Sequence, residues 1–209
     1  MQTPTDVTLA RYCREIRGDL NLPGSSTLMT IAATDLPYLR LVTGNITMAG
    51  GSIQSLTLSA LTEVRGVLTV SGFGTLASFP ALTTIGSPTV AGGGFNAQLF
   101  NMPDLLLPQL TRVNGPLTIT ISPVARVDMR RLVRVTGNLE LNGLYQLTNL
   151  DFRALTTVDG STKKFAAMLR VPWSSISYLT RISGATFDDI GCCVLGGDLR
   201  NCNGGYSCN

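Results

Sequence analysis

The chain contains no histidine. That absence removes Ser-His-Asp and Cys-His nucleophilic centres, His-ligated zinc and imidazole general bases together, because each needs a ring nitrogen. Charge is also scarce. Only 14% of residues are Asp, Glu, Lys or Arg, against about a quarter in an ordinary soluble domain, so Thr, Ser and Gly must cover much of the surface. The net charge of +3 is too small to define a nucleic-acid-binding face, and nucleic acid is not an expected partner. Long apolar runs are missing too. The longest uncharged stretch, Gly66 to Pro103, is interrupted repeatedly by Gly, Ser, Thr and Pro, whereas a membrane-spanning helix needs about 20 predominantly apolar residues. Membrane attachment is therefore expected only through an anchor outside this chain. The opening MQTPTDVTLARYC lacks the apolar segment of a signal peptide, so a secreted protein would have lost its leader.

What the chain does have is a repeat. The hexamer LTEVRG at 61–66 returns as LTRVNG at 110–115 and LTTVDG at 155–160. Aligned on glycine, the series Gly18, Gly44, Gly66, Gly86, Gly115, Gly137, Gly160 and Gly184 is spaced between 20 residues (66 to 86) and 29 residues (86 to 115). Leucine stands five places before the glycine at Leu39, Leu61, Leu110, Leu132, Leu155 and Leu179, with Leu82 four before Gly86. A β-branched residue stands two before it at Ile16, Val42, Val64, Val113, Val135, Val158 and Ile182, with Ile85 one place closer. Eight before it comes Leu36, Leu58, Leu107, Met129, Phe152 or Ile176, with Phe79 in the shortened repeat.

Such a period indicates stacked supersecondary units. GVLTV, GPLTITI and GNLEL alternate as strands do, and a 20-residue unit that holds strands has no room for a long helix. The expected fold is all-β: a right-handed parallel β-solenoid of about seven coils, each advancing about 4.8 Å, with the glycine at a tight or crowded corner. A single domain over 1–209 is expected, with an N-terminal helical lid over 1–17, coils over 18–184 and a cysteine-rich cap over 185–209. Both ends need covering because an open coil exposes strand edges and core.

Four of the five cysteines, Cys192, Cys193, Cys202 and Cys208, fall in the last 18 residues. Their spacing is that of a disulfide-closed cap and lacks the paired C-x2-C form of a zinc ribbon. Adjacent Cys192 and Cys193 diverge along the backbone and should pair elsewhere. Seven coils separate the ends by roughly 30 Å, too far for Cys13 to join the cluster of its own chain. Cys13 is thus either a buried free thiol or a link to a neighbouring chain in a head-to-tail stack.

CREIRGDLNL, followed by repeated L-T-x-V-x-G and G-x-L-x-V, resembles the receptor L domain of insulin-receptor and epidermal-growth-factor-receptor ectodomains. It is equally similar to fungal cell-wall proteins related to the sporulation-specific wall proteins. The resemblance covers roughly residues 5 to 190 and implies a right-handed leucine-rich β-helix, extracellular placement, disulfides and glycosylation. One departure stands out: receptor L domains usually pair the first cysteine with another about a coil later, and here none lies between Cys13 and Cys192.

Four surface features are candidate sites. An outward column three residues after the glycine supplies Thr47, Thr69, Thr89 and Thr118, a hydroxyl and methyl ladder suited to an exposed strand or to contact with a neighbouring solenoid, a polysaccharide or ice. The uncharged residues 66–103 are a candidate for burial against another molecule or beneath a glycan coat. Arg112, Arg126, Arg130, Arg131 and Arg134 offer either a solvated edge paired with Asp128 or a patch for sulfated or uronic polysaccharide. Asn45-Ile46-Thr47 is the only N-x-[ST] sequon, so Asn45 is the candidate glycan acceptor. AGGGF at 91–95 lacks the lysine and helix of a phosphate loop and reads as a turn.

The expected function is that of an extracellular, non-enzymatic structural or adhesive protein of a cell surface, wall or filament. No cofactor is implied, and the expected partners are other copies of the chain, other surface proteins or glycans. Two alternatives stay open. One is a ligand-binding L domain of a cell-surface receptor. The other, a polysaccharide-active β-helix enzyme, needs two carboxyl groups facing one bond at about 5–9.5 Å, and adjacent Asp188 and Asp189 would point to opposite sides of a strand.

Overall fold

Each copy of the hexamer builds one corner of a coil and the two-residue strand beside it. In LTEVRG, Leu61 and Val64 point into the core and are fully buried. Thr62 serves the stack: its backbone N–H and its Oγ1 both donate to the Arg40 carbonyl one coil earlier, each at 2.9 Å. Thr83 does the same to Thr62 O, Thr111 to Thr83 O, and Thr156 to Val133 O. Gly66 closes the corner, where its N–H donates to Gly44 O at 3.0 Å and a Cβ would stand 2.6 Å from that same oxygen. Leucine, threonine, valine and glycine in the repeat thus each have a separate physical reason.

The computed structural model describes residues 10–23, 29–32, 35–49, 53–73, 76–100, 104–122, 126–142, 149–160, 162–165 and 181–182. They form an all-β parallel solenoid with three walls. The first wall has eight strands of the Glu63–Val64 type, the second seven of the Val67–Phe73 type and the third six of the Leu76–Ser78 type. Six strands in the third wall enclose five steps, so about five turns are complete in all three walls. Every pairing is parallel between equivalent strands of successive coils.

Where their side chains are described, the apolar columns read from the sequence line the core, with Ile16 half-buried at its edge. Ile16, Val42, Val64, Ile85, Val113, Val135, Val158 and Ile182 pair in unbroken register along the first wall. The leucines five before the glycine, from Leu39 to Leu155, are buried, as are Leu36, Leu58, Phe79, Leu107, Met129 and Phe152. Together with the second-wall pairs such as Leu68 and Val70 they make one core.

The coil between Gly86 and Gly115 corrects the glycine alignment. Its second-wall strand is Gly94–Phe100, with Gly94 opposite Val67. The extra residues leave the corner at Gly86 and return at Gly93, whose Cβ would collide with Gly86 Cα. Ser87–Gly92 is therefore a short excursion standing off the solenoid. AGGGF is its return, as a turn reading expects. Thr89 lies in this excursion and not in the outward column.

At the front, Ala10 is buried and Cys13 N–H donates to Ala10 O at 2.9 Å. Cys13 is half-buried against the core and unbonded. Residues 1–9 of the expected lid and the expected cap with Cys192, Cys193, Cys202 and Cys208 lie outside the described residues.

Candidate functional site

The outer face of the second wall carries two polar columns. Strand register stacks Asn21, Thr47, Thr69, Asn96, Thr118, Glu140 and Lys163. Two residues along, Ser71, Gln98 and Thr120 form the second column. Thr47, Thr69 and Thr118 thus belong to one ladder, and Asn96 occupies the rung expected for Thr89. The register slips because the excursion inserts residues between the glycine and the strand. From Thr47 to Thr120 both columns hold hydroxyl or amide groups without a formal charge, on a face whose rungs repeat at about 4.8 Å. Asn96 Oδ1 is enclosed there and is the one buried side-chain polar atom without a partner among the described residues.

The excursion makes a half-open cleft of about 630 Å³ against the corner between first and second walls. Ser87 Oγ accepts from Thr89 and Val90 N–H at 3.2 and 3.3 Å and shapes its rim. The floor includes Asn45 and the ion pair Glu63–Arg65, 2.9 Å apart. Asn45 is half-buried and staples the corner: its N–H donates to Asp19 Oδ1 at 2.7 Å and its Oδ1 accepts from Val67 N–H at 2.8 Å. Asn45, the candidate glycan acceptor, thus lines this cleft.

The five arginines of the candidate patch occupy different walls. Arg112 and Arg134 pair in register on the first wall. Arg112 Nε donates to Asn114 Oδ1, and Arg134 Nε to Asp159 Oδ2 at 2.8 Å. Arg126 lies on the third wall, while Arg130 and Arg131 turn the next corner. Arg126 Nη2 and Arg130 Nε donate to Asp128 at 3.2 and 2.9 Å, and Arg131 Nη1 donates to Gln109 Oε1 at 2.6 Å. All five therefore have internal partners.

Asp128 is the most enclosed charge of this group, with a side chain 4% exposed. It sits in register with Asp151 one coil on, and each has an arginine two places later, Arg130 and Arg153. The hydrogen bond from Arg130 holds the Asp128 carboxyl below the usual carboxylate range against the opposing effect of burial. Arg153 does the same for Asp151, against burial and the nearby Asp128 charge. A depressed folded-state pKa means that this stabilisation is fully present above the unfolded value of about 3.9 and is lost as pH falls through the folded value. Asp128→Asn is expected to cost about 1–2 kcal/mol at pH 7, a moderate figure because both arginines are half-exposed. The variant's stability should fall less steeply below about pH 4. Urea titrations of both proteins from neutral to strongly acidic pH check this, and parallel curves would contradict it.

Among the described residues no three His, Cys, Asp or Glu side chains gather as a metal site would require, and no helix is long and apolar enough to cross a membrane. No family model, no curated protein and no solved structure matches the chain.

Proposed function

We propose that the protein is an extracellular, non-enzymatic structural or adhesive component of a cell surface, wall or filament, related to receptor L domains and sporulation-type wall proteins. The observation that carries this reading is the outer face of the second wall, where hydroxyl and amide side chains keep register without a charge from Thr47 to Thr120. A regular face of this kind suits lateral contact with another regular polymer, a neutral glycan or another copy of the chain. It presents many weak hydrogen-bonding groups at a fixed repeat and offers no charge to be desolvated. The same reading includes right-handed winding, about seven coils, a cap closed by Cys192, Cys193, Cys202 and Cys208, and a helical lid shorter than the expected 1–17, because Glu15 and Ile16 already belong to the first wall.

The test is co-sedimentation with insoluble β-glucan, chitin and cellulose, alongside sedimentation velocity of the protein alone. The natural chain is expected to pellet with at least one polymer or to self-associate. Thr69→Lys with Thr118→Lys should reduce that behaviour by about tenfold or more, since two buried charges oppose contact. Asn96→Thr, which extends the threonine column, should preserve it. A natural chain that stays monomeric and unbound in every mixture would remove the proposal.

A further inference from the structure

Tyr12 and Tyr38, 77% and 52% exposed, are the exposed aromatic rings among the described residues. Each stands two places before an arginine, in Arg-Tyr-Cys-Arg at 11–14 and Pro-Tyr-Leu-Arg at 37–40. The residue between them points inward: Cys13 packs against the core and Leu39 is buried. Tyr and Arg therefore flank an inward anchor and both face solvent. Arg40 N–H donates to Arg14 O at 2.8 Å, which fixes the second Tyr-x-Arg rung directly over the first, about 4.8 Å away. Side chains in this tyrosine column do meet across one coil further along, where Arg131 bonds Gln109. The following rung reads Ala60 and Thr62, so the grid is two rungs deep.

The charges of this grid are uncommitted. Arg11, Arg14 and Arg40 are exposed, and none has a side-chain acceptor among the described residues, whereas the other arginines with described side chains bond an Asp, Glu, Asn or Gln. Glu15, the nearest acid in the chain, is already engaged by Arg17 at 3.2 Å. Two outward guanidinium groups one coil apart, beside two outward phenol rings with the same spacing, match one kind of ligand well. A carboxylate suits the guanidinium fork, and the apolar face of a sugar ring suits an aromatic surface.

We propose that Tyr12, Arg14, Tyr38 and Arg40 form a binding site for an acidic saccharide of the uronate class, with Arg11 adding long-range attraction. The site depends on the front corner alone and not on the uncharged wall, so either proposal can fail without the other.

The experiment is titration calorimetry of the full chain with trigalacturonate, with maltotriose as the neutral sugar and triglutamate as the acidic peptide. Trigalacturonate is expected to bind and to weaken several-fold when salt rises from about 20 to about 200 mM. Maltotriose should not bind detectably, and triglutamate should bind about tenfold more weakly because it has no ring face to stack. Arg14→Gln with Arg40→Gln should weaken trigalacturonate about tenfold or more, and Tyr12→Ala with Tyr38→Ala about fivefold. Arg131→Gln, at a guanidinium bonded within the protein, should bind as the natural chain does. All four side chains are exposed, so thermal midpoints should stay in place. Equal affinity for triglutamate, an unaffected tyrosine variant, or an equal loss in Arg131→Gln would each overturn the site.

Discussion

Replacing Gly137 with alanine is expected to destabilise the protein by about 3 kcal/mol, and so to lower its melting midpoint by about 6–12 °C. The cause is crowding between coils. A Cβ at Gly137 would stand 2.5 Å from the carbonyl carbon of Gly115 and 2.8 Å from its oxygen. Both atoms are backbone, held by the Gly137 N–H bond to Gly115 O at 3.0 Å, so neither can swing aside as a flexible side chain would. Relief requires two coils to separate, which strains the ladders on both sides of the corner. Gly18 gives the contrasting case. Its φ of +114° disfavours alanine, yet nothing lies within 4 Å of the added atom, so Gly18→Ala should cost only about 1–2 kcal/mol. Urea unfolding of both variants separates the two mechanisms. Equal losses would show that backbone conformation, and not coil-to-coil approach, selects glycine at these corners.

That distinction bears on what could be read before the fold was known. Periodic leucines and β-branched residues located the core because a stacked coil repeats its environment at each turn, and the columns so aligned are buried where their side chains are described, except at the first coil, where Ile16 is half-buried. Glycine was a poorer ruler. Gly86, Gly92, Gly93 and Gly94 all lie in one coil, and choosing Gly86 put Thr89 on a wall it does not join. The better signal was the inward pair Phe95 and Ala97, which matches Leu68 and Val70 in register and would have placed Asn96 on the ladder. The threonine of the hexamer was visible but unexplained, since its hydroxyl bonds reach a carbonyl 21 to 28 residues away.

Charge was least legible. Arg126, Arg130, Arg131 and Arg134 are neighbours in the chain, but the turn between third and first walls divides them among three acceptors, Asp128 for the first two, Gln109 for Arg131 and Asp159 for Arg134. The uncommitted arginines lie at the other end, where they look unremarkable in sequence. The repeated Tyr-x-Arg could be seen in the chain. That its arginines lack side-chain acceptors among the described residues is a property of the assembled coils.

The largest single loss is expected in the core of the coil that carries the excursion, and it exposes how successive coils keep one cross-section. Phe79→Ala should cost about 3–5 kcal/mol, since the ring is fully buried and a solenoid wall held by ladders on both sides collapses poorly around a void. The coil, however, compensates for its own bulk. In register with Leu56 and Leu105 it has Ala77, and in place of Leu58 and Leu107 it has Phe79. On the second wall Phe95 and Ala97 stand where the next coil has Leu117 and Ile119. Small beside large replaces medium beside medium. Ala77→Leu alone should overpack and cost about 1–3 kcal/mol, and Phe79→Leu alone should leave a gap costing about 1–2 kcal/mol. Together they restore the Leu-x-Leu of the flanking coils, so the double variant should lie within about 1 kcal/mol of the natural chain, a favourable coupling of at least about 1 kcal/mol. A four-member urea series measures this coupling. Additivity within about 0.5 kcal/mol would mean that the two positions do not share a space, and that each coil is packed for its own shape with no common cross-section.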